Sequence, residues 1–242
     1  MVTSIMMVTF NRLNLTIETV NSLFENTDQD FRFIIVDNGS VDGTAEFLKN
    51  LKPKNKCLEI KTLINDSNKG IAVGRNQCLK IAKEFDDDYL STIDNDVLFE
   101  KNWLGDCLNF LNKNPNFAVG VSFEPTKYPI YNLNGIEVQV KPAGNLGTAC
   151  TVFDKKLFKM IGYFNMDFGL YGEEDADFFF RARQMGYKMA YLKNNGKHLG
   201  EGEQDVGEYR EFKTKCHKEN YNQFIKTCRD YISGKKQIYI EF

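Results

Sequence analysis

One α/β domain, a mostly parallel sheet with helices on both faces, is the fold class this sequence predicts. Two observations carry the prediction. Short β-type apolar runs alternate with helical patterns through the first half of the chain, the arrangement that builds strand–helix–strand units. The length, 242 residues with 42% hydrophobic and 26% charged side chains, supports one sizeable core and requires no second. No internal repeat and no low-complexity linker divides it.

In chain order, residues 2–8 read as a strand and 13–25 as a helix. Phe31-Arg32-Phe33-Ile34-Ile35-Val36 is a second strand that stops at Asp37, and residues 44–51 are a short helix. Residues 58–64 form a third strand. Apolar positions Ile71, Val73, Leu79, Ile81 and Ala82 give a helix over 71–85. Tyr89-Leu90-Ser91-Thr92-Ile93 is a buried strand, followed by a helix over 103–111 and a strand over 117–121. Trp103, on the apolar side of that helix, is expected in the core.

The second half is less regular. Residues 126–145, rich in Pro, Tyr, Asn and Gly, read as a long excursion over one face, with Tyr128 and Tyr131 left open as stacking groups. A strand over 147–153, helices over 154–161 and 176–185 and a strand over 187–192 follow. Residues 194–207, rich in glycine and charge, read as a mobile connection before a helix over 209–232. The expected organisation is a domain over 1–204, with halves meeting near residue 98, and a C-terminal helical extension, 205–242, packed on it.

The formal net charge of −2 and a pI near 5.8 argue against nucleic acid as the main partner. The segment 208–236 leans basic through Arg210, Lys213, Lys215, Lys218, Lys226, Arg229, Lys235 and Lys236. A solvated helix face explains this; an anionic acceptor or peripheral membrane contact is the alternative. Six scattered cysteines with no C-x-x-C pair read as reduced thiols of a cytoplasmic protein. No apolar run reaches the roughly 18 residues of a membrane span, and the first residues read as a strand without a basic leader.

Two acidic segments carry the chemistry. Asp94-Asn95-Asp96 closes the strand at 89–93, at the sheet edge where open α/β sheets bind ligands. Two carboxylates one residue apart can hold a hard divalent cation through oxygen. Glu173-Glu174-Asp175 opens a helical stretch and offers a separate carboxylate for proton abstraction. For Glu173 and Glu174 the plainer reading is charge favoured at a helix N-terminus. Asp177 serves either helix structure or an acceptor site, and with Arg181 four residues on, an i,i+4 ion pair is the plain reading. Asp37-Asn38-Gly39-Ser40-Val41-Asp42-Gly43-Thr44 is a turn rich in positions that favour φ > 0, with Asp42 or Thr44 able to cap the next helix.

These segments resemble family 2 glycosyltransferases of the GT-A fold. The V-D-N-G-S-x-D-G-T run, the opening Val8-Thr9-Phe10-Asn11-Arg12, the Asn68-Lys69-Gly70…Arg75-Asn76 element, Asp94-Asn95-Asp96 as D-x-D, and Gly172-Glu173-Glu174-Asp175-Ala176-Asp177…Arg181 follow that family's order over residues 8 to about 183. The resemblance implies a GT-A type, Rossmann-like sheet with a nucleotide-binding half (about 1–98) and an acceptor-binding half (about 99–204). It implies that Thr9, Asn11, Arg12, Asp37, Asn38, Asn68, Gly70, Arg75, Asp94 and Asn95 contact the nucleotide-sugar. Asp94 and Asp96 would ligate Mn²⁺ or Mg²⁺, with His198 completing the site or touching the diphosphate unless it is an ordinary surface histidine. Asp175 would be the catalytic base, and Glu174 and Asp177 would face the acceptor. His217, in a polar helix, is expected to be solvent-exposed. The implied reaction is inverting transfer from a UDP-sugar to a glycan, glycolipid or glycoprotein. A nucleotidyltransferase is a competing reading that lacks a Gly-rich basic loop after strand one. A non-catalytic nucleotide-sugar module is another, against which Asp175 argues.

Overall fold

The computed structural model describes residues 1–121, 128–143, 146–192, 196–199 and 208–242. Four parallel strands come first: β1 (Thr3–Thr9), β2 (Phe31–Asp37), β3 (Cys57–Ile64) and β4 (Tyr89–Ile93), linked by α1 (Leu13–Asn26), α2 (Thr44–Asn50) and α3 (Ile71–Phe85). β1 is apolar on both faces because helices cover both. Ile5 and Met7 pack with Val20, Phe24 and Trp103 on one side, while Met6 packs with Leu79, Phe153 and Phe178 on the other.

After β5 (Val97–Phe99) come α4 (Trp103–Lys113), β6 (Phe117–Val121), β7 (Ile130–Leu133), β8 (Ile136–Lys141), β9 (Cys150–Asp154) and α5 (Lys155–Ile161). The chain then runs through a 3₁₀ turn (Met166–Phe168), α6 (Glu174–Gln184), β10 (Lys188–Leu192), β11 (Gly196–His198) and α7 (Glu208–Ile232). The main sheet has nine strands in the order β3-β2-β1-β4-β9-β6-β10-β8-β7, with β9 and β8 reversed. The expected α/β sheet is therefore present, parallel in its first half and mixed in its second. Trp103 is fully buried, and its indole N–H donates to Thr27 Oγ1 at 3.0 Å.

The second half adds to the sequence reading in three places. The excursion is a β-hairpin where it is described: β7 and β8 pair across Asn134-Gly135, whose φ angles of 53° and 83° suit a two-residue turn. Tyr128 stacks on Tyr191 with centroids 6.0 Å apart, and Tyr131 stands exposed on β7. Residues 196–198 of the connection expected to be mobile form β11, paired antiparallel with β5; its parts at 194–195 and 200–207 lie outside the described residues. The chain's last residues return to the core, where Ile240 bonds to Ile161 and Tyr163 and lies against Gly162. Among the described residues no helix is long and apolar enough to cross a membrane.

Candidate active site

The carboxyl ends of β1, β2 and β4 meet at one rim, where the loops that leave them hold each other in place. The Asn11 N–H donates to Ser40 Oγ at 2.8 Å, and Asn11 Oδ1 accepts the Val41 N–H at 2.8 Å. Asp42 receives the first N–H of α1 (Leu13, 2.8 Å) and of α2 (Thr44, 3.1 Å), so one carboxylate caps two helices. Burial would raise the Asp42 carboxyl, but the Thr44 and Leu13 donors hold it below its ordinary value. Asp37 is fully buried and accepts from both the N–H and the hydroxyl of Ser40. Gly70 has φ +90°, and a Cβ there would meet Gly169 O at 2.9 Å. Asn38 Nδ2 donates to the Gly70 carbonyl at 3.0 Å.

These loops border a cleft of about 380 Å³. Thr9, Arg12, Asn38, Asn68, Arg75, Asp94, Asn95, Asp96, Asp175 and His198 all line it. Asn11, Asp37 and Gly70 do not. Their polar groups are engaged in bonds within and between these loops. Thr9 and Asn95 reach the cleft with their side chains already engaged: Asn95 Nδ2 donates to Thr9 Oγ1 (2.9 Å) and Thr16 Oγ1 (3.1 Å).

Asp94, Asp96 and His198 converge, with ligand atoms within 4.8 Å of one another. The small β5–β11 ribbon brings His198 here from a hundred residues away. The Leu199 N–H donates to Asp96 O at 2.8 Å, and His198 Nε2 stands 3.4 Å from Asp96 Oδ1. Arg12 Nη1 holds the other oxygen, Oδ2, at 2.9 Å. Among the described residues, Asp96 Oδ1 is buried with no hydrogen-bond donor, an arrangement that costs free energy unless a cation fills it. Burial, with the neighbouring Asp94 charge, raises the Asp96 carboxyl, against the pull of His198 and Arg12. Two carboxylates and an imidazole around an orphaned oxygen fit Mn²⁺ or Mg²⁺, the oxygens being the harder ligands.

Facing this group is the start of α6. Asp175 lines the cleft, half-buried, with Oδ1 accepting the Ala176 N–H at 2.7 Å. Arg75 joins the two sides: Nη1 donates to Glu174 Oε1 at 2.6 Å and Nη2 to Asp94 Oδ1 at 3.3 Å, with its guanidinium 5.5 Å from the Phe164 ring centre. Burial would lower Arg75, but Glu174, Asp94 and Asp175 together hold it above its ordinary value. Burial raises Glu174, the Asp175 charge adds to the rise, and Arg75 opposes it.

Glycosyl transferase family 2, as a family model, matches residues 4–162. The chain belongs to that family. It is 30% identical over 143 residues to an uncharacterized glycosyltransferase of Rickettsia felis, covering 58% of this chain and 21% of that protein. It is 30% identical over 125 residues to another from Rickettsia bellii, covering 52% and 16%. The chain thus spans about a fifth of the length of these relatives or less. Its fold is similar to a mannosyltransferase of Pyrobaculum calidifontis in complex with GDP-Man and Mn²⁺ (TM-score 0.61, 18% identity, 77% of this chain and 53% of that one). It is also similar to S. aureus TarS 1-349 in complex with UDP-GlcNAc (TM-score 0.60, 20% identity, 81% and 57%).

Within this family 2 chain, the two residues expected at the acceptor, Glu174 and Asp177, are both engaged by protein partners. Glu174 lines the cleft but is buried, with Oε1 taken by Arg75 and Oε2 by the Gly172 N–H at 3.0 Å. Asp177 is fully buried and away from the cleft. It forms the expected ion pair with Arg181 (2.7 Å) and accepts from Tyr231 OH at 2.9 Å. Arg181 donates onward to the carbonyls of Ile161 (2.6 Å) and Tyr163 (2.8 Å). Sequence reasoning also missed a wall of the cleft. Tyr171 and, from α7, Lys213 and His217 line it. His217 is exposed, as expected, yet its ring meets Tyr171 edge-on and Nδ1 lies 3.3 Å from Glu173 Oε1. The basic run at the head of α7 was the available signal; which of its residues face the cleft depended on docking.

Proposed function

We propose that the chain catalyses inverting transfer of a glycosyl group from a nucleotide-diphosphate sugar, a UDP-sugar, to a hydroxyl of a glycan, glycolipid or glycoprotein. One observation carries this reading: the Asp94–Asp96–His198 group and Asp175 open into a single cleft, with Arg75 inside it. Asp175 takes the proton of the acceptor hydroxyl as its oxygen attacks the anomeric carbon. The bond to the diphosphate breaks on the opposite face, so one displacement inverts the centre. Asp94, Asp96 and His198 would hold Mn²⁺ or Mg²⁺, which when bound supplies positive charge for the departing diphosphate. Arg75, fixed by Glu174 and Asp94, adds preorganised charge at the same place. Asn38 and Asn68 face the nucleotide.

The similar folds that hold GDP-Man with Mn²⁺ or UDP-GlcNAc support a nucleotide-sugar donor. Six free cysteines support a reducing, cytoplasmic setting. The test is a thermal-shift screen of nucleotide-sugars with and without Mn²⁺, followed by transfer assays on the donor that stabilises most. A UDP-sugar should raise the melting temperature only with the ion present, and Asp96→Asn should remove that dependence. Stabilisation by no nucleotide-sugar would end this reading.

A further inference from the structure

A second cavity lies at the amino end of β4, on the far side of the sheet from the rim that bears the cleft. It measures about 250 Å³ and is bounded by the end of α3, the start of β4, α5 and Tyr239 near the end of the chain. It shares no lining residue with the cleft. We propose that this cavity binds a small amphipathic anion, an apolar body ending in a carboxylate or phosphate, with Lys83 as its charge partner.

The floor of the cavity is apolar. Buried Ala82, Leu90 and Phe158 line it, and the exposed Tyr239 ring borders it. Phe158 is steadied by an edge-on contact with Tyr163, ring centres 5.1 Å apart. Water finds few hydrogen-bond partners on such a lining, so an apolar body that takes its place is favoured. The walls are held before any ligand arrives. The Lys155 N–H donates to Asp88 O at 3.1 Å and Lys155 Nζ to Asp86 O at 2.8 Å, which ties the start of α5 to the end of α3. The segment that carries Tyr239 is fixed at the next residue: the Ile240 N–H donates to Ile161 O at 3.1 Å, and the Ile240 carbonyl accepts the Tyr163 N–H at 3.0 Å. A site held this way loses little conformational freedom when occupied.

The charges at the rim select the sign of the ligand. Both acids that border the cavity are already matched. Asp87 accepts from Ser4 Oγ at 2.7 Å and pairs with Arg32. Asp86 lies between Lys155 at 3.2 Å and Lys159 at 3.5 Å, and Lys155 has Asp88 at 4.0 Å besides. Lys83 is the cation left over. It stands exposed in the last turn of α3, lines the cavity, and makes no ion pair or hydrogen bond among the described residues. The Tyr239 hydroxyl is also without a hydrogen bond among them, a neutral donor for the same head group. A neutral apolar molecule would fill the floor and gain nothing from Lys83, whereas an anion gains from both parts of the site.

The test is an NMR titration of the full chain with octanoate, octyl phosphate and octanol, which share an apolar body and differ in the head group. Saturable shifts should appear at the amides of Ala82, Lys83 and Phe158. At least one of the two anions should bind about fivefold more tightly than octanol, the scale of a good exposed ion pair, and added salt should shrink that advantage. Lys83→Ala should remove the advantage and Lys83→Arg should keep most of it; the side chain is exposed, so neither change threatens the fold. The tighter anion identifies the head group as carboxylate or phosphate. Absence of saturable shifts at these amides, equal binding of the anions and octanol, or an advantage that survives Lys83→Ala overturns the proposal. The amides of Thr9 and Ala149, which line the cleft, are the control. Shifts confined to them would place the ligands in the cleft and overturn the proposal without touching the transfer reaction.

Discussion

The two halves of the sheet hold polar groups at the same rim by different means. In the β3-β2-β1-β4 half, the groups are neighbours in space and near-neighbours in sequence. Asn11, Ser40 and Asp42 bond across two adjacent loops, and the strands beneath are parallel and apolar on both faces. In the other half, each working group is brought from afar. Asp175 rides on α6, which the buried Asp177–Arg181 pair ties to Tyr231, Ile161 and Tyr163. His198 arrives on a three-residue strand. Damage to the first half should therefore stay local, while damage to the second should spread.

Arg181→Ala is the hardest test of that contrast. It leaves Asp177 as an unmatched charge in the core and should cost about 3–5 kcal/mol of stability in urea denaturation. A loss below about 1 kcal/mol would erase the difference between the halves. Asp175→Asn should slow transfer about 10²–10⁴-fold with UDP affinity unchanged, separating chemistry in the second half from nucleotide binding in the first. Robust transfer by this variant would remove Asp175 from its role. Asp42→Ala should cost about 0.5–2 kcal/mol, the scale of a lost helix cap, and leave the Mn²⁺ titration unaltered.

The smallest effect is one of sign with pH. Asp42 is lower in the folded protein than unfolded, so its contribution is present above its unfolded pKa of about 3.9 and is lost as pH falls. Glu174 is higher when folded, because burial and the Asp175 charge outweigh Arg75. Its contribution is complete below the ordinary glutamate value of about 4.3 and is lost as pH rises through the raised one. Stability measured against pH for Asp42→Asn and Glu174→Gln should differ from wild type with opposite slopes. Parallel slopes would contradict the environments described for the two carboxylates.

How far each region could be read from sequence follows the same line. β1 to β4 and their helices were legible, because two-sided burial produces apolar runs and one-sided burial a helical period, both local patterns. β5 and β11 have three residues each, too few for any period. β5 is held by side chains of α1, with Thr19 Oγ1 and Ser22 Oγ accepting the Val97 and Phe99 N–H groups at 3.1 and 2.8 Å. The β7–β8 hairpin did carry a local signal, Asn134-Gly135, hidden within a segment whose composition suggested a loop. In the site, Asp94, Asp96, Arg75 and Asp175 were legible and do share the cleft. Asp177 was legible in part: its i,i+4 pair with Arg181 was read, but an acid in the first turn of a helix looks the same whether it faces solvent, a substrate or the core. What decides is Tyr231, 54 residues away.

The bond from the Leu199 N–H to Asp96 O has a practical consequence. It belongs to the ribbon that carries His198, so seating a divalent ion between Asp96 and His198 would tighten the same pairing. Opening of that ribbon should become rarer by the factor set by ion affinity and concentration. The Leu199 amide would then act as a gauge of occupancy: its deuterium uptake should slow in step with manganese loading, with no sugar or nucleotide present.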